Sequence, residues 1–214
     1  MQQKTLQCSI GCGINNKGDV NMGYTTWFNG NLKFNKPIES WLVEYVNNFC
    51  KIRHMKRSPE LIKEVFPNWK ELCFNGELGK EGEYFVGGEN YSFWGNEKDP
   101  SILDHNSPAR TQPGLWCDWE ITKTELFWNE AEKFYDYEEW LQYLIDNFFA
   151  PLGYVLSGEI LWEGEDSDDF GTIHVEDNVI EMRYGIKIRS MDQLSTADMV
   201  EELERRGYVV SKPA

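Results

Sequence analysis

The chain has 214 residues, of which 41% are hydrophobic and 14% are aromatic, enough to bury one sizeable core without a second domain. Its formal net charge of -15 at pH 7 disfavours nucleic acid and anionic membranes as direct partners, because phosphate binding requires clustered Lys and Arg. No apolar run approaches the roughly 18 residues of a membrane span. The odd number of cysteines, five, and an N-terminus without a signal-peptide pattern predict a cytoplasmic protein with free thiols.

Three segments are expected along the chain. Residues 1–21, rich in Gly, Asn and Cys, are predicted to form an N-terminal arm or an added hairpin. Residues 22–190 are predicted to form a single α+β domain with a long loop region at 75–114. Residues 191–214 are predicted to form a C-terminal helix and tail, since Ser195 precedes the helical pattern and Gly207 follows it.

The domain is predicted to begin with a strand and two helices. The segment YTTWFNGNLKF (24–34) has the β-branched and aromatic residues of a strand, and its Asn29-Gly30 pair allows a short hairpin as the alternative. From Pro37, apolar residues recur at intervals of three and four, which predicts a helix with one inward face. That face comprises Ile38, Trp41, Leu42, Tyr45, Val46, Phe49 and Ile52. A second, short helix is predicted over PELIKEVF (59–66).

A long loop, a hairpin and a third helix follow. The loop has many turn-forming residues, and only EYFVGG (83–88) in it resembles a strand; loops of this length are usually functional or disordered. GLWCDWEI (114–121) and ELFWNEA (125–131) are predicted to form the hairpin. Asp136 and Glu139 then resemble a capping box at the start of an amphipathic helix. Its apolar stripe comprises Trp140, Leu141, Leu144, Ile145 and Phe148.

Three further strands complete the domain, at 154–165, 171–176 and 179–188, with Asp177-Asn178 joining the last two. Apart from the short second helix, the resulting order is strand, helix, two strands, helix, three strands, helix. This order is typical of α+β proteins. We therefore expect an antiparallel sheet with helices packed mainly on one face and a loosely ferredoxin-like core.

The stretch LWEGEDSDDFGTIHVEDNVIE (161–181) contains eight carboxylates and no Lys or Arg. One hypothesis is a negatively charged surface that docks a basic partner, since such charge steers association. The simpler alternative is a solvated hairpin without a partner. The residues assigned to a partner-binding acidic hairpin are Glu163, Glu165, Asp166, Asp168 and Asp169.

A metal site or a catalytic pair fits this stretch less well. With Asp166 as position 1 of a calcium-binding loop, Phe170 falls at position 5, where an oxygen ligand is needed, and Asp177 falls at position 12 in place of Glu. The flanks are also predicted to be strands, whereas an EF-hand requires helices. Acid-base catalysis needs two carboxylates in unlike environments, and every acid here has acidic neighbours. We therefore assign no metal, cofactor or catalytic residue.

The segment DHNSPARTQPGLWCDW (104–119), with YSFWG (91–95) upstream, is a second candidate site. An Arg, several amide groups and stacking rings are the groups that hold a nucleotide or another planar anion. The alternative is that the Trp residues belong to the core and the polar groups satisfy the loop backbone. The candidate ligand-binding residues are Trp94, Asp104, His105, Asn106, Arg110, Gln112 and Trp116.

The sequence contains two weaker candidates, a basic run and a scattered zinc set. The basic run KIRHMKR (51–57) ends a predicted helix, where cations complement the helix dipole, and no RNA-binding motif accompanies it. A zinc set could be assembled from scattered residues, but the spacing matches no strong zinc-finger pattern. Its members would be Cys8, Cys12, Cys50, Cys73 and His54.

Several long phrases occur in order between residues 22 and 181: MGYTTWFNGNLKFNKPI, GEYFVGG, QPGLWCDW and EKFYDYEEWLQYLIDNFFAPLGYVLSGEILWEGEDSDDFGTIHVEDN. Together they resemble an uncharacterised family of small proteins of bacteriophages, prophages and bacteria. The resemblance carries no assigned activity. It implies a compact protein that acts by binding, as phage inhibitors of host defence, nucleic-acid decoys and nucleotide traps do.

Three functional hypotheses follow. The preferred one is a non-enzymatic, phage-type accessory protein that binds and blocks a host macromolecule in the host cytoplasm through its acidic surface, for instance as a counter-defence inhibitor. Its expected partner is a host protein with a basic surface. The first alternative is a protein that binds or sequesters a nucleotide through the aromatic loop region 91–119. The second is a metal-dependent hydrolase that uses the clustered acids.

Overall fold

The order of helices and strands is that of an α+β protein. A computed structural model describes residues 23–87, 99–185 and Val200. Its helices and strands are β1 (Thr26–Phe34), α1 (Ser40–Lys51), β2 (Lys56–Arg57), α2 (Pro59–Val65), β3 (Ile102–Asp104), β4 (Trp119–Ile121), β5 (Glu125–Trp128), α3 (Tyr137–Leu144), β6 (Leu156–Gly164), β7 (Phe170–Glu176) and β8 (Val179–Tyr184). The predicted N-terminal arm and C-terminal helix lie outside these described residues, except for Val200.

The main sheet of the described residues has six antiparallel strands in the order β4-β5-β1-β6-β7-β8. α1 connects β1 to β4, which lie on either side of β5, and α3 connects β5 to β6, which lie on either side of β1. This split β-α-β arrangement is the ferredoxin-like core that the sequence predicts. β7 and β8 extend it through two hairpins.

Among residues 23–87 and 99–185, the helices cover one face of the sheet and leave the other open. Along β6, Ile160 and Trp162 are buried, whereas the alternate residues Leu161 and Glu163 are exposed, because successive side chains of a strand point to opposite faces. The buried face packs against apolar residues of α1 and α3. They include Leu42, Val46, Phe49, Trp140, Leu141 and Leu144. The prediction of helices mainly on one face is therefore confirmed.

α1 begins at Ser40, three residues later than Pro37 suggests. Most of its predicted inward face is buried, but Trp41 is 45% exposed, so its assignment to the core was wrong. Its indole Nε1 donates a hydrogen bond to Glu39 Oε2 at 2.6 Å, and its ring lies at 6.2 Å from the ring of Phe74. The polar edge of the indole is thus satisfied at the surface.

β1 is one uninterrupted strand, so the hairpin alternative at Asn29-Gly30 was wrong. It pairs with β6 along its whole length, from Thr26 opposite Gly164 to Phe34 opposite Leu156. Gly30 has a φ of +120°, and a Cβ added there would lie 2.6 Å from the carbonyl oxygen of Glu159. The glycine permits close approach of two strands rather than a turn.

The region 75–114 contains more regular structure than its turn-rich sequence suggests. Residues 83–87 of EYFVGG do not form a strand, and Phe85 makes only an isolated bridge with Cys73. β3, which the sequence did not reveal, pairs with the two-residue strand β2. A second small core of Ile62, Cys73, Leu78 and Phe85 lies beneath this region.

α3 starts without the predicted capping box. Asp136 has a left-handed backbone with a φ of 54°, and its side chain forms no capping hydrogen bond. The helix then continues into a π-helical turn, Ile145–Phe149, and a 3₁₀ turn, Ala150–Leu152. Ile145, Phe148 and Phe149 are all buried in this π-helical turn. The wider turn therefore places three large apolar residues in the core.

Candidate functional site

The turn between β6 and β7 is held closed by local and long-range hydrogen bonds. Gly164 N donates to Asp169 O at 2.7 Å, and Asp169 N donates to Asp166 O at 2.8 Å. From the start of the described chain, Tyr24 OH donates to Asp169 Oδ2 at 2.5 Å and accepts from Asp166 N at 3.2 Å. The Tyr24 hydroxyl therefore forms one hydrogen bond with a carboxylate of the turn and another with its backbone.

The segment that carries Tyr24 is itself fixed. Thr25 N donates to Glu165 Oε1 at 2.8 Å, and Tyr24 N donates to Tyr135 OH at 3.0 Å. Burial, followed by the hydrogen bond to Asp169, raises the pKa of Tyr24 to about 12. The phenol thus keeps its proton and its bond to the carboxylate through the neutral and moderately alkaline pH range.

The predicted acidic residues lie together around this turn. Glu163, Glu165, Asp166 and Asp168 are exposed, and Asp169 is half-buried. Within residues 23–87 and 99–185, no Lys or Arg forms an ion pair with Glu163, Glu165 or Asp166. The calcium-loop pattern does not correspond to a loop, because its positions from Phe170 to Glu176 form β7.

Trp27 lies beside these acids on the open face of the sheet. It is 50% exposed, and its register partner on β6 is Glu163, so the Cβ atoms of the two residues are about 5 Å apart. Glu163 is in turn opposite Phe170 of β7. A ring, a carboxylate and a second ring thus form one row across three strands.

Two more carboxylates border Trp27 from the other side. Glu130 and Glu132 belong to the segment after β5 and line a cleft with Trp27 and Phe127. This segment reaches the start of β1, because a Cβ added at Gly23 would lie 2.6 Å from Cε of Lys133. We call Trp27 and the carboxylates around it the acidic surface. Its carboxylates are Glu130, Glu132, Glu163, Glu165, Asp166 and Asp168.

The sequence pointed to the hairpin acids but not to Trp27, Glu130 or Glu132. A usable signal was present in β1, whose open-face positions are Trp27, Asn29, Asn31 and Lys33. A tryptophan among polar residues on a solvent-facing row is unusual and marks a candidate contact residue.

The structure divides the predicted nucleotide-binding residues between two places. In one, Arg53 donates to His105 O at 3.0 Å and to Asn106 Oδ1 at 3.2 Å, and its guanidinium lies 5.6 Å from the ring centroid of Trp116. Asp104 Oδ1 accepts from Asn106 N at 2.8 Å. These polar groups satisfy one another and the loop backbone.

In the other place, Arg110 and Gln112 line a cleft of about 710 Å³ beside Glu83 and Tyr143. Gln112 is buried and donates to Glu83 O at 2.9 Å. Arg110 is 83% exposed and pairs with Glu81 at 3.3 Å. Trp94 lies outside the described residues, so the structure gathers only part of the predicted set.

Glu83 forms the buried centre of this second cleft. Its Oε2 accepts from Tyr143 OH at 3.1 Å and from Thr111 Oγ1, and its Oε1 accepts from Lys80 N at 2.9 Å. Burial and the Glu83 carboxylate raise the pKa of Tyr143 well above its ordinary value. With its acceptors occupied by protein donors, Glu83 joins the 80–83 turn to α3.

The weaker zinc set is not assembled. Cys50 Sγ lies 3.5 Å from Cys117 Sγ, Cys73 Sγ donates to Trp69 O at 3.0 Å, and His54 contacts Gln112. In the described part of the chain, no three His, Cys, Asp or Glu side chains are grouped as a metal site would require. Cys8 and Cys12 lie outside that part.

Comparisons with family models, curated proteins and solved structures found no match to this chain. Across residues 23–87 and 99–185, no helix has the length and apolar character needed to cross a bilayer. The acidic surface and the two polar clusters are therefore the features of the molecule that bear on its function.

Proposed function

We propose that the chain is a non-enzymatic binding protein that docks a basic protein surface on its acidic surface. The observation that carries the proposal is a half-exposed Trp27 with carboxylates on both sides. Interfaces typically combine a central aromatic anchor with surrounding charges, in which the ring contributes most of the affinity and the charges steer association.

The fixed geometry of the hairpin supports this proposal. Tyr24 and Thr25 hold the turn through bonds to Asp166 N, Asp169 Oδ2 and Glu165 Oε1, so the turn backbone and two of its carboxylates are held in place before a partner arrives. A pre-organised surface loses less conformational entropy on binding than a flexible one. The resemblance to phage and prophage proteins would make the partner a host protein that the chain blocks.

Nucleotide binding has less support. Trp116, proposed to stack a base, already faces the guanidinium of Arg53, and Arg110, proposed to hold a phosphate, pairs with Glu81. The carboxylates of Glu83 and Glu139 at the Gln112 cleft would repel a phosphate. A metal-dependent hydrolase has no grouped ligands among the described residues to support it.

To test the proposal, the immobilised chain is used to capture host proteins from a lysate, and the bound proteins are identified. The kinetics of binding are then measured with the identified partner. Asp166→Lys with Asp168→Lys reverses charge on the acidic surface. Glu64→Lys with Glu71→Lys makes the same change in net charge at exposed positions elsewhere. Trp27→Ala is matched by Trp41→Ala, since Trp41 is also about half-exposed.

We expect the hairpin reversal to slow association by about tenfold or more and Trp27→Ala to weaken binding, with both control variants near the parent. Capture should also fall between about 0.1 M and about 1 M salt, because the screening length shortens from about 10 Å to about 3 Å. Capture that is equally strong for the hairpin reversal and the Glu64/Glu71 control would contradict the proposal.

A further inference from the structure

The cleft beside Trp27 exists because two neighbouring strands diverge. β1 and β5 pair only at Leu32 with Leu126 and at Lys33 with Glu125. Beyond these pairs the two strands separate and leave a cleft of about 480 Å³ between them. A cleft of this size is within the range of small-ligand pockets. It is lined by Thr25, Trp27, Phe28, Asn29, Gly30, Phe127, Trp128, Glu130 and Glu132.

The walls of the cleft are aromatic and their positions are fixed. Trp128 Nε1 donates to Ala131 O at 3.2 Å, and the Trp128 ring packs against Phe28 at 5.5 Å. Trp27 differs, since no described residue places a ring or a cation over it. Within the described part of the chain, Trp27 thus lines the cleft with an available indole face.

The rim of the cleft is acidic. Glu130 and Glu132 both line it, and neither forms an ion pair within residues 23–87 and 99–185. Their segment is held in place, because Asn129 Oδ1 accepts from Ala131 N at 2.9 Å and Asn129 N donates to Asp118 O at 3.0 Å. Lys133, the basic residue of this segment, lies against Gly23 and does not line the cleft.

An open aromatic face beside two carboxylates is complementary to a cation with an apolar stem. A guanidinium fits better than an ammonium, because it is planar, stacks on an indole and donates in a fork to a carboxylate. We propose that this cleft binds an arginine side chain of the partner, with the guanidinium between Trp27 and the carboxylates of Glu130 and Glu132. This inference rests on the proposed function and names the residue type that its surface selects.

The experiment uses the full-length chain, with ¹⁵N-labelled indoles observed by NMR. The probe is a blocked Gly-Arg-Gly peptide, and its matched controls carry citrulline, which has nearly the same shape without the charge, or lysine. Trp27→Phe assigns the Trp27 indole signal. The indole of Trp41, which lines another groove with Phe74, serves as the internal control.

We expect the Trp27 indole signal to shift and saturate with the arginine peptide. The lysine peptide should bind with at least tenfold lower affinity, and the citrulline peptide should cause no shift. The Trp41 signal should stay in place throughout. Glu130→Gln with Glu132→Gln should weaken arginine binding at least tenfold. An unmoved Trp27 signal, or equal responses to arginine and citrulline, would overturn the proposal. Equal responses to arginine and lysine would overturn the selection of guanidinium.

The outcome also separates this proposal from the broader one. If the arginine peptide leaves Trp27 unaffected while the Asp166/Asp168 reversal still abolishes capture, the arginine site is wrong and the protein-binding function stands. If the arginine peptide binds at Trp27 but the reversal leaves capture unchanged, the cleft takes arginine and the acidic hairpin is not the docking surface.

Discussion

His54 is predicted to make the stability of the fold depend on pH. Its ring is 2% exposed and lies between Phe49 and Trp140, with ring centroids at 4.4 Å and 4.7 Å. Nδ1 lies 3.1 Å from the amide nitrogen Nε2 of Gln112, and because an amide NH2 group can only donate, Nδ1 accepts and the ring is neutral. Burial lowers the pKa of His54 from 6.5 to about 3.

The sign and size of the effect follow from proton linkage. Between pH 6.5 and pH 3 the unfolded chain binds the proton on this imidazole and the folded chain does not, so the free energy of unfolding falls as the pH falls. From about pH 7 to about pH 5, the loss due to His54 is about 2 kcal/mol. The stability from this residue is complete above its unfolded pKa.

Urea unfolding at the two pH values, for the parent and for His54→Gln, measures this contribution. The substitution costs stability at both pH values, but that cost cancels when each protein is compared with itself. We expect the decrease in free energy of unfolding from pH 7 to pH 5 to be about 2 kcal/mol larger in the parent than in the variant. A histidine NMR titration should show no protonation of His54 in the folded protein at pH 5.

Asp118 makes the free energy of unfolding change with pH in the direction opposite to that of His54. Burial raises its pKa to about 6, so the folded state favours the neutral carboxyl and gains stability as the pH falls through that value. The total pH dependence of the parent is therefore smaller than the His54 contribution, whereas the difference between parent and variant is unaffected. Identical pH dependence in the parent and His54→Gln would refute the reasoning about the buried imidazole.

Two further predictions concern the sheet and the hairpin. Gly30→Ala should lower the free energy of unfolding by about 2–5 kcal/mol, because it combines a left-handed backbone with a steric clash. Gly76→Ala, at a φ of +75° with no atom within 4 Å of the added Cβ, should cost only about 1–2 kcal/mol; equal losses in urea unfolding would contradict the clash. Tyr24→Phe should cost about 1–2 kcal/mol and speed amide hydrogen exchange at Asp166 and Asp169, and unchanged exchange there would show that the phenol does not hold the turn.

Much of the sheet could be predicted because local patterns coincide with the final packing. Alternation of apolar and polar residues identified β6 and β7, and Asp177-Asn178, both with positive φ, identified the turn before β8. The Asn29-Gly30 pair has the same composition as a turn. There, the strand pairing of β1 with β6 outweighs the local preference, since both halves of β1 pair with the same partner.

Other features depend on contacts that the sequence does not reveal. β2 and β3 are two and three residues long, too short to show a period of two. Asp136 has the composition of a helix cap, but its backbone is left-handed and its side chain faces Gly114. Local composition therefore predicted the helix correctly but its capping interaction wrongly.

The candidate site was predicted only in part for the same reason. The hairpin acids are adjacent in sequence and could be found there, whereas Tyr24, which fixes them, is 145 residues from Asp169. Trp27 and the pair Glu130 and Glu132 are likewise brought together only by the sheet order, which places β5 next to β1. Long-range pairing of this kind leaves little trace in a single sequence.

The edges of the described residues, Gly23 and Gly185, affect the choice of fusion tag. Gly23 lies one residue before Tyr24, and Gly185 N donates to Phe170 O at 2.7 Å, at the base of the same hairpin. Gly23 and Gly185, at the edges of the described residues, therefore both lie near the acidic hairpin. A fusion tag rich in Lys or Arg would be attracted to these carboxylates and would compete with a basic partner. An uncharged or acidic tag is the better choice for every binding experiment on this protein.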